Sequence, residues 1–519
     1  MANITHVFFL LDFGGVERNI VNLSNAMVEE GHTVRVIISH RMGQMADLLH
    51  SDVETIILPS QRKLAALIDL LKSSELCHLH SNNLNPFFIW AASLANVPVI
   101  VNTIESSVQF PYSAYCDYLI CPSYYVRTMQ SRIRHIQVIY NGCDVENHVL
   151  PKRPASKDKI VLAEVRRPNK DMFFRLDQLI DALSATAGTQ VEAWIIGEEG
   201  ASTDKVKYFG AVPQPAEIVK KADFLVHLSK HDALANAVIE AMAAGAIPIA
   251  SAVGGIPEVV DHDTNGILVP TEQLSSKTAL IDFISEILTQ YLTERERFEE
   301  MRRQGNEKAE RIFSKQQMVN QYGKLYETII LSHDRPNRSR LNVLLEDTNA
   351  EVTARFLDLL EAYCFHPFEG ADAIKKVDFD IFPPQQRAFL LGILAEHTMK
   401  NQQTPLAMQL LHYAVTLWDQ DFYLNLNLGI ALKMLNKLSQ AEIYFRKAIQ
   451  LVPDEIEPYL ILLEIYMSQG KRQEAEALAT DLLEKIPLNH PMRTTLSLLV
   501  QPNQRHHQRH QSSMQVMNL

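Results

Sequence analysis

HDALANAVIEAMAAGAIPIASAVGGIPEVV, residues 231–260, is mostly small and apolar, yet it carries carboxylates at Asp232 and Glu240. LANAVIEAMAAG (234–245) has the spacing of a helix, and Gly245 stops it before the strand IPIASA (247–252). Asp232 and Asn236 fall near the start of that helix, where backbone N–H groups point outward and favour an anion. Glu240 falls at its middle, among alanines (241, 243, 244) small enough for close packing on a sheet. A carboxylate there is costly to bury unless it accepts strong hydrogen bonds, such as those from a vicinal diol. GGIPE (254–258) adds a glycine turn whose bare backbone is expected to approach a phosphate or a sugar.

Outward from this stretch, short β-branched runs alternate with amphipathic ones. ITHVFFLL is followed by GG and VERNIVNLSNAMVEEG, then by HTVRVII, CHLH, VPVIVNT, YLICPS and IQVIYNG. The alternation predicts a parallel sheet covered by helices. It pauses at PKRPASKDK (151–159), which reads as a linker, and restarts with KIVLAEV, VEAWIIG, VKYFGAV, ADFLVHLS and AIPIASA. Two successive α/β halves imply two lobes with a cleft at the C-terminal ends of their strands.

Bulk composition bounds the partners. The chain has 519 residues, too many for one core, with 47% hydrophobic and 21% charged residues. A formal charge of −12 argues against nucleic acid as a main partner. Cys77, Cys116, Cys121, Cys143 and Cys364 show no CxxC pair and no zinc spacing, which fits a reducing compartment. No apolar stretch approaches the roughly 20 residues needed to span a bilayer. A cytoplasmic protein is expected, with peripheral contact at the inner face of the membrane left open. DFD (378–380), DHD (261–263) and the HHQRH of the tail read as solvated groups, so no metal site is expected.

Beyond about residue 315 the strand signals disappear. Leu428, Gly429, Ala441, Phe445, Ala448 and Pro453 give the small-and-large pattern of a 34-residue helical repeat. One period later stand Leu462, Ala475, Leu482 and Pro487. One period earlier stand Leu394, Ala395, Ala407, Leu411 and Ala414. The expected division is therefore an α/β lobe over 1–150, a second over 151–333, a helical connection over 334–387, tetratricopeptide-like repeats over 388–495 and a disordered tail over 496–519.

DALANAVIEAMAAG resembles the E-x7-E signature of retaining GT-B glycosyltransferases, in particular glycosyltransferase family 4. Ser229, Asn236, Glu240, Pro248, Gly254, Gly255, Pro257 and Glu258 fit that pattern in register. FGGVERNIVNLSNAMVEEGH resembles the family's N-terminal glycine loop and first helix, YNGCD (140–144) its NG-x-D element and RRPNK (166–170) its Arg and Lys pair. The resemblance covers roughly residues 1 to 333. It implies an α/β GT-B fold, two Rossmann-like lobes with a cleft between them, followed here by an all-α region. It also implies transfer of a sugar from a UDP- or GDP-sugar co-substrate, with no cofactor or metal.

By the same resemblance Glu240 holds the ribose and Asp232 contacts the transferred sugar. Lys170, with either Arg166 or Arg167, binds the diphosphate, and Gly14 and Gly15 let the first lobe approach the phosphates. Two positions depart from the pattern. Asp232 stands where a Glu is usual, and Glu105 stands where a His near the reacting carbon is expected; His78 and His80, in HLHS, match a preceding H-x-H element of the family, and His80 joins Asp232 and Glu105 as a catalytic candidate. A glycan or lipid-linked acceptor is expected, in cell-surface polysaccharide or glycoconjugate synthesis. The alternatives are a protein O-glycosyltransferase whose repeats present the substrate, and a catalytically silent scaffold. The repeats are also expected to offer a surface to a protein partner.

Overall fold

The computed structural model describes residues 1–81, 85–145, 150, 159–166, 171–186, 189–332, 337–346, 348–486 and 492–500. The first sheet has seven strands: β1 (Asn3–Leu10), β2 (Thr33–Arg41), β3 (Glu54–Ile57), β4 (Leu76–Ser81), β5 (Val99–Ile104), β6 (Tyr118–Cys121) and β7 (Ile136–Val138). They lie in the order β3-β2-β1-β4-β5-β6-β7 and every pair is parallel. All six residues of VIVNTI in β5 are buried, as expected of a strand covered by helices on both faces.

The second sheet has six strands: β8 (Lys159–Val165), β9 (Gln190–Ile196), β10 (Val206–Tyr208), β11 (Phe224–His227), β12 (Ile247–Ser251) and β13 (Ile267–Val269). Their order is β10-β9-β8-β11-β12-β13, again parallel throughout. Each sheet reverses its winding once, between β1 and β4 and between β8 and β11. The crevice beyond the carboxyl ends of those strands is where doubly wound sheets take ligands.

The chain passes between lobes twice, side by side. The Cys143 N–H donates to the Phe313 carbonyl at 2.8 Å, and the Lys315 N–H donates to the Cys143 carbonyl at 2.8 Å. After the second passage the Lys315–Leu331 helix buries Met318, Tyr322, Tyr326 and Ile329 in the core beneath β1 and β2. Although this helix follows the second lobe in sequence, it belongs by packing to the first.

Helices then fill the rest of the described chain. The Thr404–Leu417, Leu438–Leu451 and Arg472–Lys485 helices start 34 residues apart. The turn before each holds one residue of left-handed backbone: Gln402 (φ 60°), Asn436 (φ 58°) and Gly470 (φ 68°). In each turn the next N–H, of Gln403, Lys437 or Lys471, returns to the carbonyl of Thr398, Leu432 or Tyr466, closing the preceding helix. The period read from the sequence is thus a period of the backbone.

These helices do not stand apart from the lobes. Leu64, Phe87, Trp90 and Leu119 of the first lobe share one continuous core with Phe356, Leu360, Phe389 and Leu428 of the helical region. At its edge Arg132 meets Glu455 at 3.1 Å, with side chains 0% and 2% exposed. Backbone bonds of 2.7 Å flank the pair, Ile133 to Asp454 and Ile456 to Ser131. Burial opposes the charge on Arg132, yet Glu455 holds its pKa above the ordinary value. Arg338 pairs with Asp117 at 2.9 Å across the same junction. Among the described residues no helix is long and apolar enough to cross a membrane.

Removing one partner of a fully buried ion pair leaves an uncompensated charge and costs about 3–5 kcal/mol. Arg132→Met is therefore expected to lower stability by that amount in urea denaturation, and Arg132→Met with Glu455→Leu to recover much of it.

Candidate active site

A cavity of about 510 Å³ lies between the lobes, at the carboxyl ends of both sheets. Gly14, Gly15, Glu105 and Asn141 reach it from the first lobe, and Arg166, His227, Asp232, Asn236 and Glu240 from the second. Gly15 begins the Gly15–Glu29 helix, so the outward N–H groups of its first turn face this space. A Cβ on Gly15 would displace the Asn236 amide, so the lobes approach closely here. Asn236 also accepts a hydrogen bond of 3.0 Å from the Asn141 side chain, a second polar contact across the cleft.

Asp232 is held from two sides. One carboxylate oxygen accepts the Ala235 N–H at 2.9 Å, and the other lies 2.9 Å from Nε2 of His227. The first bond steadies Ala235, whose φ of 59° is strained for a residue with a Cβ. GGIPE does different work from that expected. Gly254 (φ 58°) and Gly255 are glycines because a Cβ on either would collide with the Asp232 or Ala233 carbonyl. They pack the 232–235 loop and do not reach into the cleft. Glu258 then joins the lobes. It accepts the Tyr124 and Tyr125 N–H groups at 2.8 and 2.7 Å and the Tyr140 hydroxyl at 3.0 Å.

Glu240 projects from the Asn236–Ala243 helix between Ile239 and Ala241, which are buried. It is itself half-buried, on the face toward the cleft, and it also borders a smaller cavity with Arg18 and Asp144. The carboxylate therefore stands at a wall with open volume in front of it. Burial and then the charge of Glu240 push the nearby Cys143 thiol up.

Arg166 differs from the expectation. Its guanidinium makes four hydrogen bonds, to Glu164 (2.8 Å), to Asp177 (2.9 and 3.2 Å) and to Glu198 (3.0 Å). Burial opposes its charge, but the bonds to Glu164 and Asp177 outweigh that and raise its pKa. With both Nη groups bonded to three acids, Arg166 braces the wall and is a poor candidate for a diphosphate. Arg167 and Lys170 lie outside the described residues.

His80 does not line the cleft. It is 1% exposed and sits behind Glu105, with Nδ1 3.7 Å from the Glu105 carboxylate and Nε2 3.2 Å from Nδ1 of His6. His78 bonds to the Tyr326 hydroxyl at 2.5 Å and to the Thr103 hydroxyl at 2.7 Å. The ring nitrogens of His6, His78 and His80 lie within 4.8 Å of one another, close enough to hold a metal ion in principle. The hydrogen bonds already made by these rings give them another use, as a neutral polar network. Burial pushes His80 down to about 3, and burial with the His80 charge lowers His6 well below its usual range. The role of a group touching the reactants thus does not suit His80, whose Nδ1 makes no hydrogen bond to Glu105 at that separation. The D-x-D stretches are ion-paired at the surface: Asp261 with Lys308 (2.8 Å), Asp263 with Arg297 (2.9 Å) and Asp380 with Arg387 (3.1 Å).

Known proteins share this fold. Residues 13–147 match the model of Glycosyltransferase Family 4, and residues 173–308 that of Glycosyl transferases group 1. The chain carries a GT-B glycosyltransferase body. In Bacillus anthracis, N-acetyl-alpha-D-glucosaminyl L-malate synthase is 27% identical over 127 residues, which are 24% of this chain and 32% of that protein. The match thus spans about a third of the curated relative. Anabaena Alr3699/HepE, solved with UDP and glucose, is 18% identical and aligns over 63% of this chain and 100% of its own with a TM-score of 0.51. A Rickettsia africae glycosyltransferase aligns over 64% and 99% at 14% identity, with a TM-score of 0.52.

Three contributors to the GT-B cleft escaped the sequence reading. His227 ends β11 inside the run VHLS, where it passes for a strand residue. Asn141 lies within the NG pair of YNGCD and was read with that motif as a whole. Ser123 caps the Tyr124–Thr128 helix and also donates to the Ala233 carbonyl at 2.7 Å, a contact between distant parts of the chain.

Two outcomes follow for this glycosyltransferase body. Gly254→Ala must combine left-handed backbone with a carbonyl collision, and is expected to cost at least about 2 kcal/mol in denaturant melts. Gly31→Ala (φ 86°), with nothing near its added Cβ, is expected to cost only about 1 kcal/mol. The second concerns pH. An unfolded histidine takes up a proton below about 6.5 while folded His80 stays neutral to about 3, so stability falls with pH across that window. One such group loses about 1.4 kcal/mol per pH unit. Between pH 7.5 and pH 5 the wild type should lose about 2 kcal/mol more than His80→Gln does.

Proposed function

We propose that the protein transfers a sugar from a nucleotide-sugar donor to a glycan or lipid-linked acceptor, with retention of configuration, in cytoplasmic assembly of a cell-surface glycoconjugate. The observation that carries this reading is the open cleft where Gly14 and Gly15 face Asp232, Asn236 and Glu240. The Anabaena neighbour holds UDP-glucose, which supports a uridine nucleotide as the first donor to test.

In this reading Glu240 accepts the two ribose hydroxyls, and its open position leaves room for them. The diphosphate lies against the N–H groups of the first helix turn at Gly14 and Gly15, with Arg167 and Lys170 supplying positive charge. Negative charge grows on that diphosphate as the glycosidic bond breaks, and fixed dipoles stabilise it without reorganising. Asp232, oriented by His227 and the Ala235 N–H, accepts hydrogen bonds from the transferred sugar. Glu105, backed by His80, faces the acceptor side. Retention follows when the acceptor hydroxyl enters on the face the diphosphate leaves, its proton passing to a leaving phosphate oxygen. Positioning of the two sugars then supplies much of the rate.

The repeats are of the tetratricopeptide type in this reading. The buried Arg132–Glu455 junction favours a packing role for their inner side, and a protein partner would meet the exposed side around Tyr413 and Ile443. A silent scaffold is the second reading, favoured by the four bonds that tie the Nη groups of Arg166 to acids.

UDP at 100 times its dissociation constant should stabilise the protein by about 2.7 kcal/mol. Thermal shift with UDP, GDP and ADP is expected to pick out one nucleotide, and Glu240→Ala to weaken its binding at least tenfold. Equal binding by Glu240→Ala would remove the ribose assignment, and binding of none of the three would favour the scaffold.

A further inference from the structure

A second cavity, of about 370 Å³, lies away from the donor cleft, where the first lobe meets the helices Pro384–Lys400 and Phe422–Met434. Its volume is that of a small-molecule site. Its walls are unusual for a packing defect. Trp90 stands edge-on to Phe389 (centroids 5.2 Å apart) and Tyr112, and Tyr112 in turn meets Tyr423. Such rings present flat apolar faces.

Polar groups of both kinds accompany them. The Trp90 indole N–H is buried and has no hydrogen-bond partner, although the side chain is only 3% exposed. A buried donor left in that state costs free energy. Gln109 and Asn427 add amides, each able to donate and accept, and Glu396 and Glu457 add carboxylates that only accept. Burial, then the neighbouring Glu455 charge, raises the pKa of Glu457, as expected of an acid lacking a cation.

An acid-lined aromatic cavity could suit an ammonium group, but the charges here are partly taken up. Asp421 accepts the Leu424 N–H and the Ser339 and Tyr115 hydroxyls, and Glu396 pairs with Lys400 at 2.8 Å. The indole and amide donors would have nothing to bind on a cation. A pyranose uses rings, acids and amides at once: apolar C–H faces for the rings, hydroxyl donors for the carboxylates, and hydroxyl oxygens for the amides.

We propose that this cavity is a saccharide subsite that holds a part of the acceptor remote from the reacting hydroxyl. The subsite rests on the transferase reading for its purpose, though not for its chemistry. One chain segment joins the two places. Glu105 lines the donor cleft and Tyr112, seven residues later, lines this cavity, so the two points are at most about 25 Å apart. That is within reach of a short oligosaccharide. The repeats then act in acceptor choice by completing a sugar site on the first lobe.

The test is calorimetric titration of the full chain with maltotetraose, cellotetraose and chitotetraose, with UDP as a separate titrant. One of the three is expected to bind and to lose tenfold or more in affinity in Asn427→Trp, which fills the cavity from a half-buried position. The same loss is expected in Glu457→Gln, which removes an acceptor without changing size, and UDP binding should be unchanged in both. Absence of binding by all three while UDP still binds would overturn the subsite, as would saccharide binding unaffected by Asn427→Trp. Spermidine binding that Asn427→Trp abolishes, in place of saccharide binding, would make it a cation site and overturn the proposal. Saccharide binding of the expected kind without UDP binding would instead remove the transfer reading and leave the subsite standing.

Discussion

The donor side of the cleft depends on one crowded backbone contact. The carbonyls of Asp232 and Ala233 occupy the space where residues 254 and 255 would carry Cβ atoms. Only glycine allows that approach, and Gly254 also needs the left-handed backbone that side chains disfavour. The contact fixes the loop from Asp232 to Ala235, and the loop fixes where the Asn236–Ala243 helix begins. Asn236 is thereby brought against Gly15, and Glu240, one turn further on, faces the open volume. Two proposed ligand contacts, Asp232 and Glu240, are thus set by a packing constraint that touches no ligand.

On the other side of the cleft the governing feature is electrostatic. Glu105 enters the cleft with a buried neutral imidazole network behind it, running from His80 to His6. Because burial suppresses protonation of these rings, the network adds no charge behind Glu105. A positive imidazolium there would hold Glu105 more tightly and compete with any substrate hydroxyl for its oxygens. The position that departs from the family pattern is therefore supported from within the lobe and is not an isolated surface acid.

What the sequence made legible was local. Strand–helix alternation, the glycine that stops the Glu240 helix and the 34-residue period each depend on residues close together in the chain, and each appears in the backbone. What it concealed was partnership over distance. Arg166 looked free to bind phosphate because Asp177 and Glu198 are neighbours only in three dimensions. GGIPE looked like a ligand turn because its partner loop lies 20 residues earlier and presents carbonyls, which leave no mark on a sequence. The Lys315–Leu331 helix shows its amphipathic face plainly, but nothing in that face says that it packs under β1. Arg132 and Glu455 are likewise ordinary residues until folding removes both from water.

The placement of the repeats has a mechanical consequence. They share a core with the first lobe, whereas the two apolar clusters of the second lobe hold, among the described residues, nothing beyond Phe313. Opening of the cleft would then carry lobe one and the repeats as one body past lobe two. The links that must break are mostly polar: Asn236 against Gly15 and Asn141, Arg18 on the Pro213 carbonyl, Glu258 on Tyr124, Tyr125 and Tyr140, and Ser123 on Ala233, which also packs against the core of the first lobe. Water replaces such contacts at small net cost, unlike a buried apolar face. The molecule is thus divided where hydrogen bonds meet hydrogen bonds, and held rigid where side chains were taken out of water together. Whatever the repeats bind moves with the first lobe.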